Sequence, residues 1–333
     1  MLEPTYIPRL RHCTLLAGEE NEPITMIVGK SYFQISTITG GRDRFLKVKS
    51  LFDGRNTIKE IADKTAVPIE DISEIVSGFK DIGILRSEIP IEMIKTYEFI
   101  AKVTDSCDMW QKQIGFHRLF SLLDNESCRK EVFIGWLLET YHYVKSASKH
   151  IAVAISNCKN EEWRELLVSY FTEEYDHSGL YLESLIKMGL AKEDVINAHP
   201  IIGTMSLINM LCEIGRQSSL SYIACTSLFE AKKNDFESAK KKFLEISKIY
   251  GFDLDVVNPI IEHMRMDVAA GHTSLLSEAL SEYNVIDAKE AHYAVNCVHD
   301  LKHAFDQFHD QIIQYYSDVS NYVPRLKVDY FSL

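Results

Sequence analysis

Carboxylates and imidazoles recur at helical spacing in the second half of the chain. Glu174 and His177 are three residues apart in EEYDHSGLY, and His263 and Asp267 are four residues apart in EHMRMDVAAGH. Residues three or four positions apart share one face of a helix, so each pair can present two ligands to one point. Oxygen ligands mixed with imidazole suit redox-active iron or manganese.

Two glutamates extend this pattern. Glu139 lies in WLLETYHYV, where apolar and aromatic neighbours predict a buried face, and Glu230 ends an apolar helix face in YIACTSLFEAKK. Bundle interiors assemble carboxylate-bridged dimetal sites from glutamates and histidines on facing helices. Each acid or imidazole alone is more often part of a solvated face or a capped histidine, so the combination is what favours a metal site.

The segment that must position these residues is helical from about residue 107 onward. Apolar residues recur with a helical period and strand candidates are scarce, while Asp124-Asn125, Asn160, Gly189 and Gly251 mark breaks. We expect about seven helices, several longer than about 20 residues, joined by short connections. Such a stack of helices is a bundle.

The first 95 residues have a different pattern. Short β-prone runs at 11–17, 23–28 and 31–36 predict a small antiparallel sheet, with a hairpin at Gly29-Lys30. Three short helices are expected after it, the second beginning at an Asn56/Thr57 cap.

Length and charge limit the possible functions. A chain of 333 residues with 46% hydrophobic and 25% charged residues favours two globular domains and excludes a disordered chain. The net charge of −12 makes nucleic acid an unexpected partner, because a negative surface repels phosphate backbones. Seven scattered cysteines, no signal-peptide core and no long apolar run predict a cytoplasmic protein that is not membrane-bound.

The segment from Leu51 to Leu85 carries a family resemblance. LFDGRNTIKEIADKT, followed by a helix and the phrase GIL, resembles the PqqD-like peptide-recognition element, a winged-helix module of ribosomally made, post-translationally modified peptide biosynthesis. The resemblance covers about residues 5–88 and implies a domain over 1–92 in which a leader peptide adds as a strand to the third β-strand. It implies peptide contacts from Tyr32, Phe33, Gln34 and Ile35, faced by Ile72, Ile75, Val76 and Phe79.

A generic winged helix with a DNA-binding or structural role is the alternative for this domain. The near-neutral charge of residues 1–95 and the acidic third helix, with Glu70, Asp71 and Glu74, argue against DNA binding. The apolar residues of the third helix are equally compatible with a core face.

The helical segment carries a second resemblance, over about residues 110–280. The order Glu139, Glu174/His177, Glu230, His263/Asp267 is similar to that of the haem-oxygenase-like diiron oxidases and oxygenases, in the superfamily that also holds PqqC and the TenA thiaminases. This implies a mainly α protein, with the small winged-helix α+β domain followed by a haem-oxygenase-like seven-helix bundle over 100–325. It also implies Fe(II) ligands at these six positions, with about two irons per chain and O2 as co-substrate. An external electron donor and a homodimer are compatible with this class.

One position departs from the family pattern. The third core helix usually carries His-x-x-x-Asp-x-x-His, and Ala270 occupies the place of its last histidine. His272 is the nearest substitute, but at i+5 from Asp267 it lies about 140° around a regular helix. A π-bulge near Gly271 would be needed to turn it toward a metal. A histidine from the last-helix stripe of His299, His303, Asp306 and Asp310 is another substitute, although a polar outer face is the favoured interpretation of that stripe.

Two classes of function follow. The favoured one is an O2-using non-haem iron enzyme that modifies a precursor peptide held through its leader by the N-terminal domain. The other is a non-catalytic leader-binding scaffold whose metal site has decayed at Ala270. A cofactorless PqqC-like oxidase is the enzymatic alternative, but it leaves the acidic residues unexplained.

We assign four aromatic residues of the helical segment to packing: Trp136, Tyr141, Tyr143 and Trp163. Cys225 is not favoured as a nucleophile.

Overall fold

The computed structural model describes residues 2–17, 23–28, 31–35, 41–86, 91–229, 236–270 and 275–328. Contacts divide the chain into two compact units, residues 1–91 and residues 92–333. Each unit has its own apolar core.

The N-terminal unit is a three-stranded antiparallel sheet followed by three helices. The strands are β1 (Thr14–Ala17), β2 (Ile24–Val28) and β3 (Ser31–Ile35), in the order β1-β2-β3. The helices are α1 (Arg42–Ser50), α2 (Ile58–Thr65) and α3 (Ile69–Asp81). The predicted hairpin is confirmed by pairing of β2 with β3, in which Met26 faces Phe33.

The predicted cap of α2 is confirmed at Thr57. The hydroxyl oxygen of Thr57 accepts a hydrogen bond from the backbone N–H of Glu60, and the Glu60 carboxylate accepts one from the backbone N–H of Thr57. This reciprocal capping box satisfies two backbone donors that a helix start otherwise leaves unpaired. Helix α2 can therefore begin sharply after the turn at Asp53-Gly54.

The second unit is a helical bundle with one short two-stranded sheet. Strand β4 (Met93–Lys95) pairs antiparallel with β5 (Val285–Asp287). The described helices are α4 (Thr96–Gly115), α5 (Arg118–Asp124), α6 (Lys130–Lys145), α7 (Ala147–Asn157), α8 (Glu161–Glu174), α9 (Ser178–Lys187), α10 (Lys192–Asn197), α11 (Ile202–Gln217), α12 (Ser219–Phe229), α13 (Phe236–Ile249), α14 (Leu254–Ala270), α15 (Leu275–Ala279) and α16 (Ala288–Tyr316). None of the described helices has the length and apolar character of a membrane span.

The prediction of about seven long helices was wrong in number and length. The described part of this unit has thirteen helical segments, and only α16, with 29 residues, exceeds 20. Two of the breaks lie at Phe116 (φ −93°, ψ 8°) and Ser146 (φ −87°, ψ 0°). Any residue can adopt this bridge conformation, and the break at Ser146 has no glycine or proline beside it to mark it in the sequence.

Close packing of α16 on α6 fixes the centre of the bundle. A Cβ atom built at Gly135 of α6 would lie 2.3 Å from Cγ of Tyr316 at the end of α16. Because glycine has no side chain, the Tyr316 ring can lie directly on α6 at this position. Helices α6, α7, α8, α9 and α14 surround the candidate site.

Candidate metal centre

Three of the predicted ligands converge in the bundle. One possible ligand atom from each of His177, His263 and Asp267 lies within 4.8 Å of the others. His177 immediately precedes α9, while His263 and Asp267 are one turn apart on α14. Both imidazoles are buried, with 5% and 7% of their surface exposed.

Glu174 joins this cluster through His177. Oε2 of Glu174 lies 3.0 Å from Nδ1 of His177, and Oδ1 of Asp267 lies 3.6 Å from the same nitrogen. Nδ1 of His263 lies 3.1 Å from Oδ2 of Asp267. The protein therefore places two carboxylates around two imidazoles, which is the donor set that iron or manganese favours.

Two buried atoms of the cluster lack a hydrogen-bond partner among the described residues. Among the described residues, Nε2 of His263 and Oδ1 of Asp267 have no hydrogen bond. A buried polar atom without a partner costs about 1–3 kcal/mol, so a cluster that keeps two such atoms fits a bound cation. The residues present therefore suit a metal ion in both chemistry and spacing.

Tyr181 of α9 forms one wall of this cluster. Its ring packs edge-on against His263, with 5.1 Å between ring centroids. Burial raises the pKa of the Tyr181 phenol, and the nearby Asp267 carboxylate raises it further. Both effects favour the neutral, protonated phenol.

A small cavity of about 70 Å³ adjoins the cluster. It is lined by Tyr143, Val144, Ala147, His150, Tyr170, Glu174, His263 and Asp267. The sequence analysis missed His150, which lies on α7 three positions after Ala147 and so shares a helix face with it. Tyr143, which the sequence assigned to packing, also faces this cavity.

An apolar cavity of about 350 Å³ lies next to Tyr181. It is lined mainly by apolar and aromatic side chains, among them Phe120, Trp136, Ile260 and Met264. Met264 directly follows His263, and Tyr181 contacts both the cavity and the His263 ring. A volume of this size is typical of a pocket for a small apolar group.

Glu139 is buried as predicted, but it is not brought to the cluster. Its Oε1 accepts a hydrogen bond from the Tyr316 hydroxyl at 2.6 Å. Its Oε2 accepts bonds from the Thr204 hydroxyl at 2.5 Å and the Ile201 N–H at 3.2 Å. Burial raises the pKa of Glu139, and these hydrogen bonds oppose the rise.

The other predicted ligand positions lie either outside the described residues or on α16, away from the cluster. Glu230 and His272 lie outside the described residues. On α16, the His303 side chain is 54% exposed and pairs with Asp306, while Asp310 pairs with Arg118. His303 and Asp310 of this stripe therefore lie on an outer face, whereas His299 packs against the buried Trp110 ring.

The N-terminal unit contains a separate cavity of about 750 Å³. All four predicted peptide-contact residues, Tyr32, Phe33, Gln34 and Ile35, line it. Ile75 and Phe79 of α3 line it as well. Ile72 and Val76 do not, because they are fully buried in the core beneath α3.

Comparison with known proteins places part of the chain in a family. Residues 104–252 match the TENA/THI-4/PQQC family. No curated protein sequence shows significant similarity to the chain.

Solved structures indicate the fold of the helical unit. A domain of unknown function with a haem oxygenase-like fold from Shewanella denitrificans OS217 is similar with a TM-score of 0.56 at 19% identity, covering 69% of this chain and 98% of that chain. A TenA family transcription regulator from Silicibacter sp. TM1040 has 14% identity and a TM-score of 0.49, over 65% of this chain and 96% of that chain. This protein therefore contains a TENA/THI-4/PQQC family domain at residues 104–252, within a bundle of haem-oxygenase-like fold.

Proposed function

We propose that this protein is a non-haem, iron-dependent enzyme that uses O2 to oxidise a ribosomally made precursor peptide. The N-terminal unit binds the leader of that peptide, and the helical unit carries the metal. The observation that carries this proposal is the convergence of His177, His263 and Asp267 within 4.8 Å.

The ligands in this proposal are Glu174, His177, His263 and Asp267. Iron bound there supplies the capacity to activate O2, and carboxylate ligands stabilise its higher oxidation states. Tyr181 separates this donor set from the apolar cavity and keeps water from the His263 ring, because its own ring covers one edge of that imidazole. An apolar side chain of the peptide would occupy the cavity beside Tyr181.

The proposed leader site is the cavity of the N-terminal unit. Strand β3 is the last strand of the described sheet, so its outer edge is open to an added strand. Tyr32 on that strand is 66% exposed, so its ring is accessible to an added peptide strand. These features support a PqqD-like winged-helix interpretation of residues 1–91.

Tethering through the leader raises the local concentration of the core peptide to roughly mM, so the metal site need not bind the core tightly.

Metal content tests the proposal. The full chain is purified without air, loaded with Fe(II) and analysed for iron per chain, alongside His177→Ala and His263→Ala. Each variant is expected to lose most of its iron, because removing an imidazole ligand reduces affinity about 10-fold or more. His303→Ala is the matched control, since His303 is exposed on α16. Full iron content in both ligand variants would contradict the proposal.

A leader-binding scaffold without catalysis is the second candidate. The observation that favours it is the capture of Glu139 by three protein donors, which removes one expected ligand from the site. A wild-type chain that takes up no iron after loading, yet binds leader peptide, would favour the scaffold.

A further inference from the structure

His150 has the geometry of a ligand oriented by a neighbour. It is 2% exposed on α7, and its Nδ1 lies 2.6 Å from the hydroxyl oxygen of Tyr222, which is fully buried on α12. When Nδ1–H donates to this oxygen, Nε2 keeps a lone pair. Metal-binding histidines typically have their second nitrogen fixed in this way.

His150 shares a cavity with the metal cluster without belonging to it. The cavity of about 70 Å³ has His263, Asp267 and Glu174 in its lining together with His150. The compact three-residue group comprises only His177, His263 and Asp267 among the described residues. The space exceeds the ~10–15 Å³ that one water needs, so the cavity that these residues share has room for several atoms.

Glu174 connects the two sides of this cavity. Its carboxylate lies 3.0 Å from Nδ1 of His177 and lines the cavity that His150 also lines. A glutamate between two imidazole groups is the arrangement of a bridging carboxylate.

We infer that His150, oriented by Tyr222, is a ligand to a second metal ion, with Glu174 shared between the two ions. This inference rests on the proposed function and deepens it. In this arrangement the imidazole of His150, eleven positions after Glu139 and beyond the break at Ser146, takes the place of the ligand expected from Glu139. Two ions about 3.5–4 Å apart are the spacing of known two-metal sites.

Iron stoichiometry and Mössbauer spectra of the full chain test this inference. Wild type is expected to hold about two irons with coupled spectra, and His150→Ala about one uncoupled iron. His150→Gln is the second variant, because it retains a polar side chain in the cavity. Tyr222→Phe is expected to bind the second iron more weakly, by about 10-fold or more, with the first site unchanged.

His142→Ala is the matched control for removal of a buried histidine. His142 is 7% exposed on the neighbouring helix α6 and does not line this cavity. This variant is expected to keep both irons.

The outcomes separate this inference from the proposed function. Two coupled irons in a folded His150→Ala or His150→Gln chain, or one iron in wild type, would overturn the second site while leaving the first intact. If both His150 variants fail to fold, Tyr222→Phe decides, because unchanged affinity for both irons in that variant would overturn the assignment of His150. Iron that survives in His177→Ala and His263→Ala would instead overturn the proposed function.

Discussion

The Tyr316 hydroxyl donates a hydrogen bond of 2.6 Å to Oε1 of Glu139 and so joins the end of α16 to α6 inside the core. Both residues have no measurable exposure. A carboxylate buried this deeply must be satisfied by donors, and here Tyr316, Thr204 and the Ile201 backbone provide them. Glu139 is thus a polar connection between α6, α11 and α16.

Tyr316→Phe tests this structural role. The change removes one donor and leaves Oε1 of Glu139 buried without a partner, so the free energy of unfolding should fall by about 1–3 kcal/mol. Urea unfolding measures the effect. Iron content should remain that of wild type.

Tyr315→Phe is the control for this prediction. The Tyr315 hydroxyl bonds to the exposed backbone oxygen of Tyr322, so its loss should cost less than about 1 kcal/mol. Loss of iron in Tyr316→Phe, at unchanged stability, would show that Glu139 acts through a metal instead.

Gly135→Ala should disturb the same junction by a different route. The added Cβ would lie 2.3 Å from Cγ of Tyr316, so the ring or the helix must move. Overpacking of this kind typically costs about 1–3 kcal/mol, which thermal unfolding can measure. Gly179→Ala, at a helical position with no atom within 4 Å of the new Cβ, should leave stability unchanged or slightly higher. Equal effects of the two changes on stability would contradict the close packing of the Tyr316 ring on Gly135.

Local patterns in the sequence were enough to predict the elements of the N-terminal unit and the closeness of the acid and the imidazole in the pairs Glu174/His177 and His263/Asp267. The Thr57 cap and the His263/Asp267 pair depend on residues three or four positions apart, and such spacing is readable from the chain. The partners of Glu139 are 65 and 177 positions away, so its apolar neighbours predicted burial but not what would satisfy it. His150 was missed because its partner Tyr222 is 72 positions away and no acid accompanies it at helical spacing.

Strand β5 escaped prediction for a related reason. Val285–Asp287 has three residues, too few to show a two-residue period, and it is a strand because it pairs with Met93–Lys95 almost 200 positions earlier. Short elements of this kind are determined by tertiary contacts.

Tyr32→Ala should weaken leader binding to the full chain. Tyr32 lines the cavity beside β3 and is 66% exposed, so its ring is available to pack on an added peptide strand. Loss of an aromatic anchor typically costs about 2 kcal/mol, or roughly 30-fold in Kd. Fluorescence anisotropy with a labelled leader peptide measures this change.

Leu16→Ala is the matched control for leader binding. Leu16 is also an exposed apolar residue, at 55%, but it lies on β1 at the other side of the sheet and does not line the cavity. Equal weakening by both changes would argue against docking at β3.

The buried His309 should make stability depend on pH in the acid range. It is 4% exposed on α16, packs against Phe120 and His117, and has no hydrogen-bond partner for Nδ1 among the described residues. Burial, together with a smaller effect of the His117 charge, lowers its pKa from 6.5 to about 3. Below about pH 6.5 the unfolded chain therefore binds a proton at this histidine that the folded chain does not bind, so the free energy of unfolding falls as the pH falls through this range. The loss approaches roughly 1.4 kcal/mol per pH unit for one such group.

The variant His309→Phe removes the titrating group and keeps a ring among aromatic neighbours. Its free energy of unfolding in urea should therefore fall less steeply than that of wild type between about pH 7 and about pH 5. Identical pH slopes in wild type and His309→Phe would show that His309 takes up its proton in the folded state as readily as in the unfolded one.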